Sequence, residues 1–401
     1  MKSLDEYRGI VNDDILAKIY NKATKLNNRH VVNISSTYQG GGVAEILHNL
    51  VCLMNDAGLD FGWRILPGTQ GFFTTTKRMH NALQGEDVDM DLIHKDYYLE
   101  NNEKFSVFTH INHNAVIVHD PQPLPLIKFM DKKQPWIWRC HIDLTNPHKQ
   151  LWDYIKTFIL RYDVVIVSDE QYKRKDLPVE QRIIMPSIDP LSTKNMDISE
   201  EIIQSYVDIY KIPTDKPILL QISRFDKWKD PEGVIEVFRR VKKEYDCRLI
   251  LCGSAATDDP EGAEIYQHLV SNNQDLLESG DMMLITAEDN YMVNALQRLA
   301  AVILQKSTRE GFGLTVTEAL WKAKPVVASN IGGIPNQIQN NKTGLLVDPY
   351  NFDECAEAVL RLLKDEQFAQ KIGKAAKEYV REKFLITRHA LDYLNLMIDI
   401  L

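Results

Sequence analysis

Residues 223–230 read Ser223-Arg224-Phe225-Asp226-Lys227-Trp228-Lys229-Asp230 and close the apolar run 218–223. An arginine and a lysine five residues apart on a loop at a strand end can converge on one anion. Arg224 brings a planar fork of donors and Lys229 a point charge, and a diphosphate fits that pair. Residues 306–318 add Glu310 and Glu318, eight apart across a strand-to-helix junction, with Gly311 and Gly313 loosening the turn between them. Glu318 falls about one helical turn past the junction, so both carboxylates can face one ligand from two levels. Between them lie the amides of Gly311, Phe312, Gly313, Leu314 and Thr315, at a helix N-terminus of the kind whose N–H groups hold phosphate. Carboxylates accepting from the hydroxyls of a ribose and a hexose, with phosphates held between the sugars, is the chemistry this spacing supports.

A third run, Ser35-Ser36-Thr37-Tyr38-Gln39-Gly40-Gly41-Gly42-Val43-Ala44-Glu45, sits between a strand pattern and a helix pattern. Gly40, Gly41 and Gly42 let backbone amides approach a ligand with no Cβ in the way, and they equally make a tight strand-to-helix turn. The spacing matches neither G-x-x-x-x-G-K-[ST] nor G-x-G-x-x-G, which disfavours a P-loop and a dehydrogenase fingerprint. The 11 histidines include no H-E-x-x-H and no zinc-like Cys/His spacing, and His110 and His113 read as solvated loop residues, so no metal is expected. Trp136 and Trp138, two apart on one strand, share a face and read as core, with sugar stacking the lesser alternative.

These runs need rigid elements to hold them. Short β-branched runs at 31–35, 115–119, 136–140, 164–168 and 183–185 alternate with helical patterns such as 43–57. Continuous apolar strands separated by helices make a parallel sheet covered on both faces. The alternation restarts near residue 217, with strands expected at 218–223, 248–252, 282–286, 301–305 and 325–329 and helices at 231–244, around 265–277, at 291–299 and from 314. The sequence thus predicts an N-terminal Rossmann-like domain (1–190), a linker (191–215) with a short helix near 200–210, a C-terminal Rossmann-like domain (216–383) and a closing helix (384–401). Open parallel sheets bind ligands outside the carboxyl ends of their strands, so two doubly wound α/β domains facing a central cleft would hold a two-part substrate. Residues 66–112 are long for one connection and rich in Thr, Asn, Asp and His, which reads as a site-shaping excursion or lid. Residues 367–401 read as two helices, the last with Leu391, Leu394, Met397 and Ile398 toward the core.

The 401 residues carry 47 Lys+Arg against 56 Asp+Glu, a net charge of −9, with a pI near 5.7. That balance argues against nucleic-acid and membrane-surface partners and makes any phosphate site local. Cys52, Cys140, Cys247, Cys252 and Cys355 are scattered and odd in number, as expected of a reducing cytoplasm rather than of a disulfide framework. The N-terminal residues are acidic where a signal peptide needs an apolar core, and no run approaches the roughly 20 apolar residues of a membrane span.

Arg224…Lys229, Glu310-x7-Glu318 within EGFGLTVTEAL, Gly40-Gly41-Gly42 and Gly332-Gly333 together resemble the retaining nucleotide-sugar glycosyltransferases of family 4, which have the GT-B fold of two Rossmann-like domains. Ser36-Thr37 with GGGVAEILH, the run from His80 to Gly85, His119-Asp120-Pro121-Gln122-Pro123, Trp138-Arg139-Cys140-His141-Ile142-Asp143 and the run from Met185 to Leu191 are similar to the trehalose synthase (glycosyltransferring) and trehalose phosphorylase branch. The resemblance spans almost the whole chain. It implies that Arg224 and Lys229 neutralise a donor diphosphate, that Glu318 holds the ribose hydroxyls, and that Glu310 and the amides of Gly311 to Thr315 hold the transferred glucose and its phosphate. It further implies His141 near the donor's 6-hydroxyl, with Asp120, Gln122, Arg139 and the Gly40–Gly42 loop on the acceptor side. One departure stands out: after Lys229 many relatives have glycine, whereas Asp230-Pro231 follows here.

The implied reaction moves glucose from an ADP-, UDP- or GDP-glucose to free glucose with retention, through front-face displacement and with no required metal or cofactor. A phosphorylase using phosphate and glucose 1-phosphate would share nearly every motif. A non-catalytic sugar- or nucleotide-binding protein is the alternative from another class. Small sugars are the expected partners, and a homodimer is the default assembly.

Overall fold

The computed structural model describes residues 2–39, 41–253, 260–286 and 289–401. The chain forms two compact units, Met1–Ser187 with Phe384–Leu401, and Ile188–Lys383.

In the first unit, helix α1 (Asp13–Ala23) precedes β1 (His30–Ser35), α2 (Gly42–Asp56) and β2 (Asp60–Ile65), followed by α3 (Gln70–Leu83) and α4 (Lys95–Phe108). Then come β3 (Ala115–His119), β4 (Trp136–Arg139), α5 (Lys149–Ile159), β5 (Val164–Val167) and β6 (Glu180–Ile183). All six strands run parallel in the order β2-β1-β3-β4-β5-β6. β3, β4 and β5 are buried at every position, as strands covered on both faces must be. Trp136 and Trp138 are fully buried, with Trp138 Nε1 donating to the Asp120 carbonyl at 3.0 Å.

Two expectations change here. Residues 66–112 are mostly helical: Phe72, Met79 and Leu83 of α3 and Tyr98 of α4 sit in the core. α3 is amphipathic but buries Thr75 and Thr76 beside its apolar residues, and α4 leaves Val107 and Phe108 exposed, so neither showed a clean apolar periodicity. The last strand lies at 180–183, not 183–185, because β6 is an edge strand whose polar residues Glu180, Gln181 and Arg182 need no second buried face. β2, also an edge, has a single fully buried residue, Phe61, and left no apolar run to find.

The second unit opens with α6 (Glu200–Ile209) and β7 (Ile218–Ile222), then α7 (Pro231–Lys242), β8 (Arg248–Gly253), α8 (Pro260–Asn272), α9 (Gln274–Glu278) and β9 (Met282–Thr286). It closes with α10 (Asn290–Leu299), β10 (Val302–Gln305), α11 (Leu314–Trp321), β11 (Val326–Ser329), β12 (Leu345–Val347), α12 (Phe352–Lys364) and α13 (Glu366–Lys383). This sheet is parallel too, in the order β12-β11-β10-β7-β8-β9. Residues 191–199 pack on α10 and α11: Asn294 Nδ2 donates to the Thr193 and Met196 carbonyls at 2.9 and 2.8 Å, and Trp321 Nε1 to Asn195 at 3.2 Å.

The strand orders fix where ligands can be met. β1 has β2 on one side and β3 on the other, so the chain leaves β1 in opposite directions, and a crevice opens between the loops after β1 and β3. In the second unit the same reversal falls at β7 and β10, which are hydrogen-bonded neighbours. The loops carrying Arg224–Lys229 and Lys306–Gly313 therefore leave adjacent strand ends. Among the described residues no helix is long and apolar enough to cross a membrane.

The final helix, α14 (Ile386–Ile400), returns to the first unit and packs on α1 and α2 through fully buried residues including Ala390, Leu394 and Met397. Leu394→Ala should cost about 2–5 kcal/mol through the cavity it leaves. Hydrogen exchange should then quicken in β1–β5 while β7–β11 keep their protection; equal loss in both sheets would contradict the packing.

Candidate active site

The loop after β7 is a chain of local hydrogen bonds. Asp226 accepts from the Trp228 amide through Oδ1 at 2.7 Å, and from Arg224 Nη2 through Oδ2 at 3.1 Å. Lys229 reaches across to the loop after β10 and pairs with Glu310 Oε2; the two side chains are 17% and 10% exposed. Ser307 Oγ donates to the same Glu310 oxygen at 3.2 Å. Behind it, Gln305 Nε2 bonds Ser307 Oγ at 3.0 Å and Thr315 Oγ1 donates to Gln305 Oε1 at 2.9 Å. A continuous polar path thus runs from the first turn of α11 to Lys229. The structure brings Lys229 and Glu310 together, whereas Arg224, whose side chain is 57% exposed, turns to Asp226.

Two glycines hold the turn beside Glu310. Gly313 is the N-cap of α11 at φ 86°, and a Cβ there would stand 3.1 Å from Glu310 Cγ. At Gly333 a Cβ would meet the Gly311 carbonyl oxygen at 2.5 Å, and the Gly333 amide donates to the Glu310 carbonyl at 3.2 Å. Gly311, Phe312, Gly313, Leu314 and Thr315 form this turn and the start of α11, with no side-chain cap on Gly313. A helix start without a side-chain cap suits anion capture, because it is the positive end of the helix.

Glu318 is 1% exposed in α11 and meets Lys194 Nζ at 3.3 Å. Neither of its oxygens accepts a hydrogen bond among the described residues, which leaves it acceptor capacity for ligand hydroxyls. Asp230 replaces the expected glycine in a left-handed conformation, φ 46°. Its carboxylate offsets the strain twice: Oδ1 caps α7 from the Gly233 amide at 3.1 Å, and Oδ2 pairs with Lys306, which is 1% exposed.

In the first unit, Gly41 is the N-cap of α2 and Gly42 its first residue, with no side-chain cap; Gly40 lies outside the described residues. Asp120, also left-handed at φ 64°, follows β3 and accepts from the His141 amide at 2.7 Å. Its own amide donates to the Arg139 carbonyl at 2.8 Å. Arg139 is fully buried and gives Nη2 to Ser168 Oγ at 3.1 Å, while Nε and Nη1 have no hydrogen-bond partner among the described residues. The Gln122 carbonyl accepts from Asn102 Nδ2 at 3.0 Å. Asp120, Arg139 and His141 therefore form one hydrogen-bonded group, and among the described residues no hydrogen bond ties the Gln122 side chain to it.

Several residues of these sites escaped the sequence reading. Gln221, inside β7, gives Nε2 to the Lys229 carbonyl at 2.9 Å and takes the Lys306 amide on Oε1 at 2.9 Å, joining both loops. Asn33, inside β1, bonds His119, which in turn bonds His141. Lone amides within apolar strands were the available signal. Lys194 had none. Among the described residues no group of three or more His, Cys, Asp or Glu is arranged to hold a metal.

Two parallel α/β units, each with glycine-capped helices and charged residues at its switch point, define a glycosyltransferase of the two-domain GT-B type. The family models agree: "Trehalose synthase, N-terminal domain" matches residues 33–174, and "Glycosyl transferases group 1" matches residues 203–379. A trehalose synthase from Thermococcus litoralis is 45% identical over 400 residues, covering 99% of this chain and 97% of that protein. A trehalose phosphorylase from Pleurotus pulmonarius is 27% identical over 447 residues, covering 98% of this chain but 60% of that protein. The fold matches the solved sucrose-phosphate synthase of Thermosynechococcus elongatus with a TM-score of 0.74 at 19% identity, covering 92% of this chain and 98% of that one. The chain belongs to the trehalose synthase family of group 1 glycosyltransferases and is a trehalose-related glycosyltransferase.

Burial pushes the Asp120 carboxyl up to about 6, with the His141 amide and Arg139 pulling the other way. The folded value lies above the ordinary one, so the folded protein takes up this proton first, and its contribution favours folding as pH falls from about 6 to about 4. Asp120→Asn should flatten urea midpoints across that window; an unchanged pH dependence would contradict the shift.

Proposed function

We propose that the chain transfers glucose from an NDP-glucose to free glucose, reversibly and with retention, forming trehalose. The observation that carries this reading is the Lys229–Glu310 pair at the switch point of the second unit, beside the uncapped start of α11 and the buried Glu318. Arg224 and Lys229 take the donor diphosphate. When Lys229 turns onto phosphate, Glu310 is released to accept hydrogen bonds from the glucose hydroxyls. The amides of Gly311 to Thr315 hold the sugar phosphate, and Glu318 takes the ribose hydroxyls. Asp120, Gln122, Arg139 and the loop Gly40–Gly42 line the acceptor side, and His141 meets a donor hydroxyl.

Fixed cations and amides aimed at a departing diphosphate stabilise charge where it develops, so the leaving group needs no metal in this scheme. The second glucose attacks from the face the diphosphate leaves, which preserves the anomeric configuration. The donor is ADP-, UDP- or GDP-glucose, the partners are small sugars, and five free thiols fit a cytoplasmic setting. Likeness along the whole length of a trehalose synthase, against 60% of a trehalose phosphorylase, favours a nucleotide-sugar donor over phosphate.

Trehalose incubated with a nucleoside diphosphate should yield NDP-glucose and glucose; release of glucose 1-phosphate with inorganic phosphate instead would assign a phosphorylase. Lys229→Ala should lower transfer by about 100-fold or more with circular dichroism unchanged. Near-normal turnover by that folded variant would sink the diphosphate assignment.

A further inference from the structure

The backbone N–H of His141 is held by Asp120, and its ring uses one nitrogen: Nε2 lies 3.1 Å from Nδ1 of His119. The ring centroids are 5.4 Å apart and the planes tilted by 19°, the separation of two imidazoles joined edge to edge through their nitrogens. His119 is 2% exposed, and its Nε2 lies 3.0 Å from Asn33 Oδ1. Asn33 is fully buried, with Nδ2 3.1 Å from the Gly62 carbonyl oxygen.

The proton positions follow from the far end of this row. A carbonyl oxygen only accepts, so Asn33 turns its NH2 toward Gly62 and its oxygen toward His119. That oxygen also only accepts, so Nε2 of His119 carries its hydrogen. A neutral imidazole has one N–H, which leaves Nδ1 of His119 a bare lone pair. Nε2 of His141 must then carry a hydrogen, and Nδ1 of His141 is an acceptor. Both rings are neutral: burial, with Arg139 adding to it, pushes His119 down to about 3 and His141 well below its ordinary value. His141 is partly exposed, and its Nδ1 has no partner among the described residues.

We infer that Asn33 and His119 are positioning residues that lock the tautomer of His141, so that Nδ1 of His141 accepts a hydrogen bond from a sugar hydroxyl. The sugar contact rests on the function proposed above, whereas the proton order does not. The arrangement also selects. A hydroxyl can donate to the bare nitrogen, but a carboxylate or phosphate oxygen at that place would set lone pair against lone pair. Sugars carrying an oxidised or phosphorylated group there are refused.

Neutron diffraction from crystals of the full chain exchanged into heavy water should show a deuteron on Nε2 of both His119 and His141 and none on either Nδ1. A deuteron on Nδ1 of His141 overturns the inference whatever any variant does. In kinetics, His119→Leu removes the acceptor and should lower kcat about tenfold, the loss of one aligned hydrogen bond, with a smaller change in KM. His119→Asn keeps an oxygen near the place of Nδ1 and should restore most of it. Equal losses in the two variants would reduce His119 to packing and overturn its positioning role. Deuterons as expected, with His141→Ala transferring glucose at the full rate, would uphold the proton order and overturn the hydroxyl contact.

Discussion

Each sheet keeps one buried amide in the first strand of its switch point, and the sites hang from those two side chains. Gln221 in β7 holds the Lys229 carbonyl and the Lys306 amide, so the loops after β7 and β10 start from fixed positions. Asn33 in β1 holds the Gly62 carbonyl and His119. A buried amide missing a partner costs about 1–3 kcal/mol, comparable to a sizeable share of a domain's stability. Such a residue tolerates only the loop path that satisfies both its ends. The constraint turns two flexible excursions into defined ones.

Above that fixed base the second unit holds the charges that the proposed reaction would exchange. Lys229 and Glu310 are largely desolvated, and a buried ion pair gains little net stability because desolvation offsets attraction. In the proposed donor complex a diphosphate would take over Lys229, and hydroxyl hydrogen bonds would have to compensate the Glu310 carboxylate left behind. Ser307, fixed through Gln305 to Thr315, holds Glu310 by a hydrogen bond that does not involve Lys229. Deeper still, Lys306 and Asp230 form a pair with no such exchange to make, since Lys306 is 1% exposed. It anchors the left-handed Asp230 where a glycine would have needed no anchor.

The alternation of apolar runs made the two sheets legible in the sequence, because central parallel strands are buried on both faces. Edge strands β2 and β6 were not, since one neighbour and one open side leave mixed composition in six and four residues, and β12 is apolar but only three residues long; the apolar edge strand β9 was legible. Among the candidate site residues, Glu310, Glu318 and Lys229 stand out in the sequence by glycine spacing and strand ends. What spacing could not carry was pairing. Arg224 and Lys229 look equivalent in the sequence, yet Asp226, two residues on, captures Arg224, while Lys229 crosses to a glutamate 81 residues away. Gln221 and Asn33 read as interruptions of apolar runs, although a buried polar residue in a strand is itself a statement that partners exist.

In the proposed reaction the two units would meet different physical problems, on parallel sheets of different strand order. A departing diphosphate carries charge that grows during the reaction, and point charges on long side chains meet it well because their attraction falls slowly with distance and angle. Hydroxyl recognition is the opposite case: the group is neutral, and only direction tells a donor from an acceptor. The first unit accordingly keeps its histidines neutral by burial and places them at the end of a row of directed bonds. A charged His141 would donate from both nitrogens and lose that direction. Burial of Arg139 next to the row works toward the same end, because its guanidinium opposes protonation of either ring. The fully buried arginine, costly as an isolated charge, thereby acts on the rings through the field it sets up.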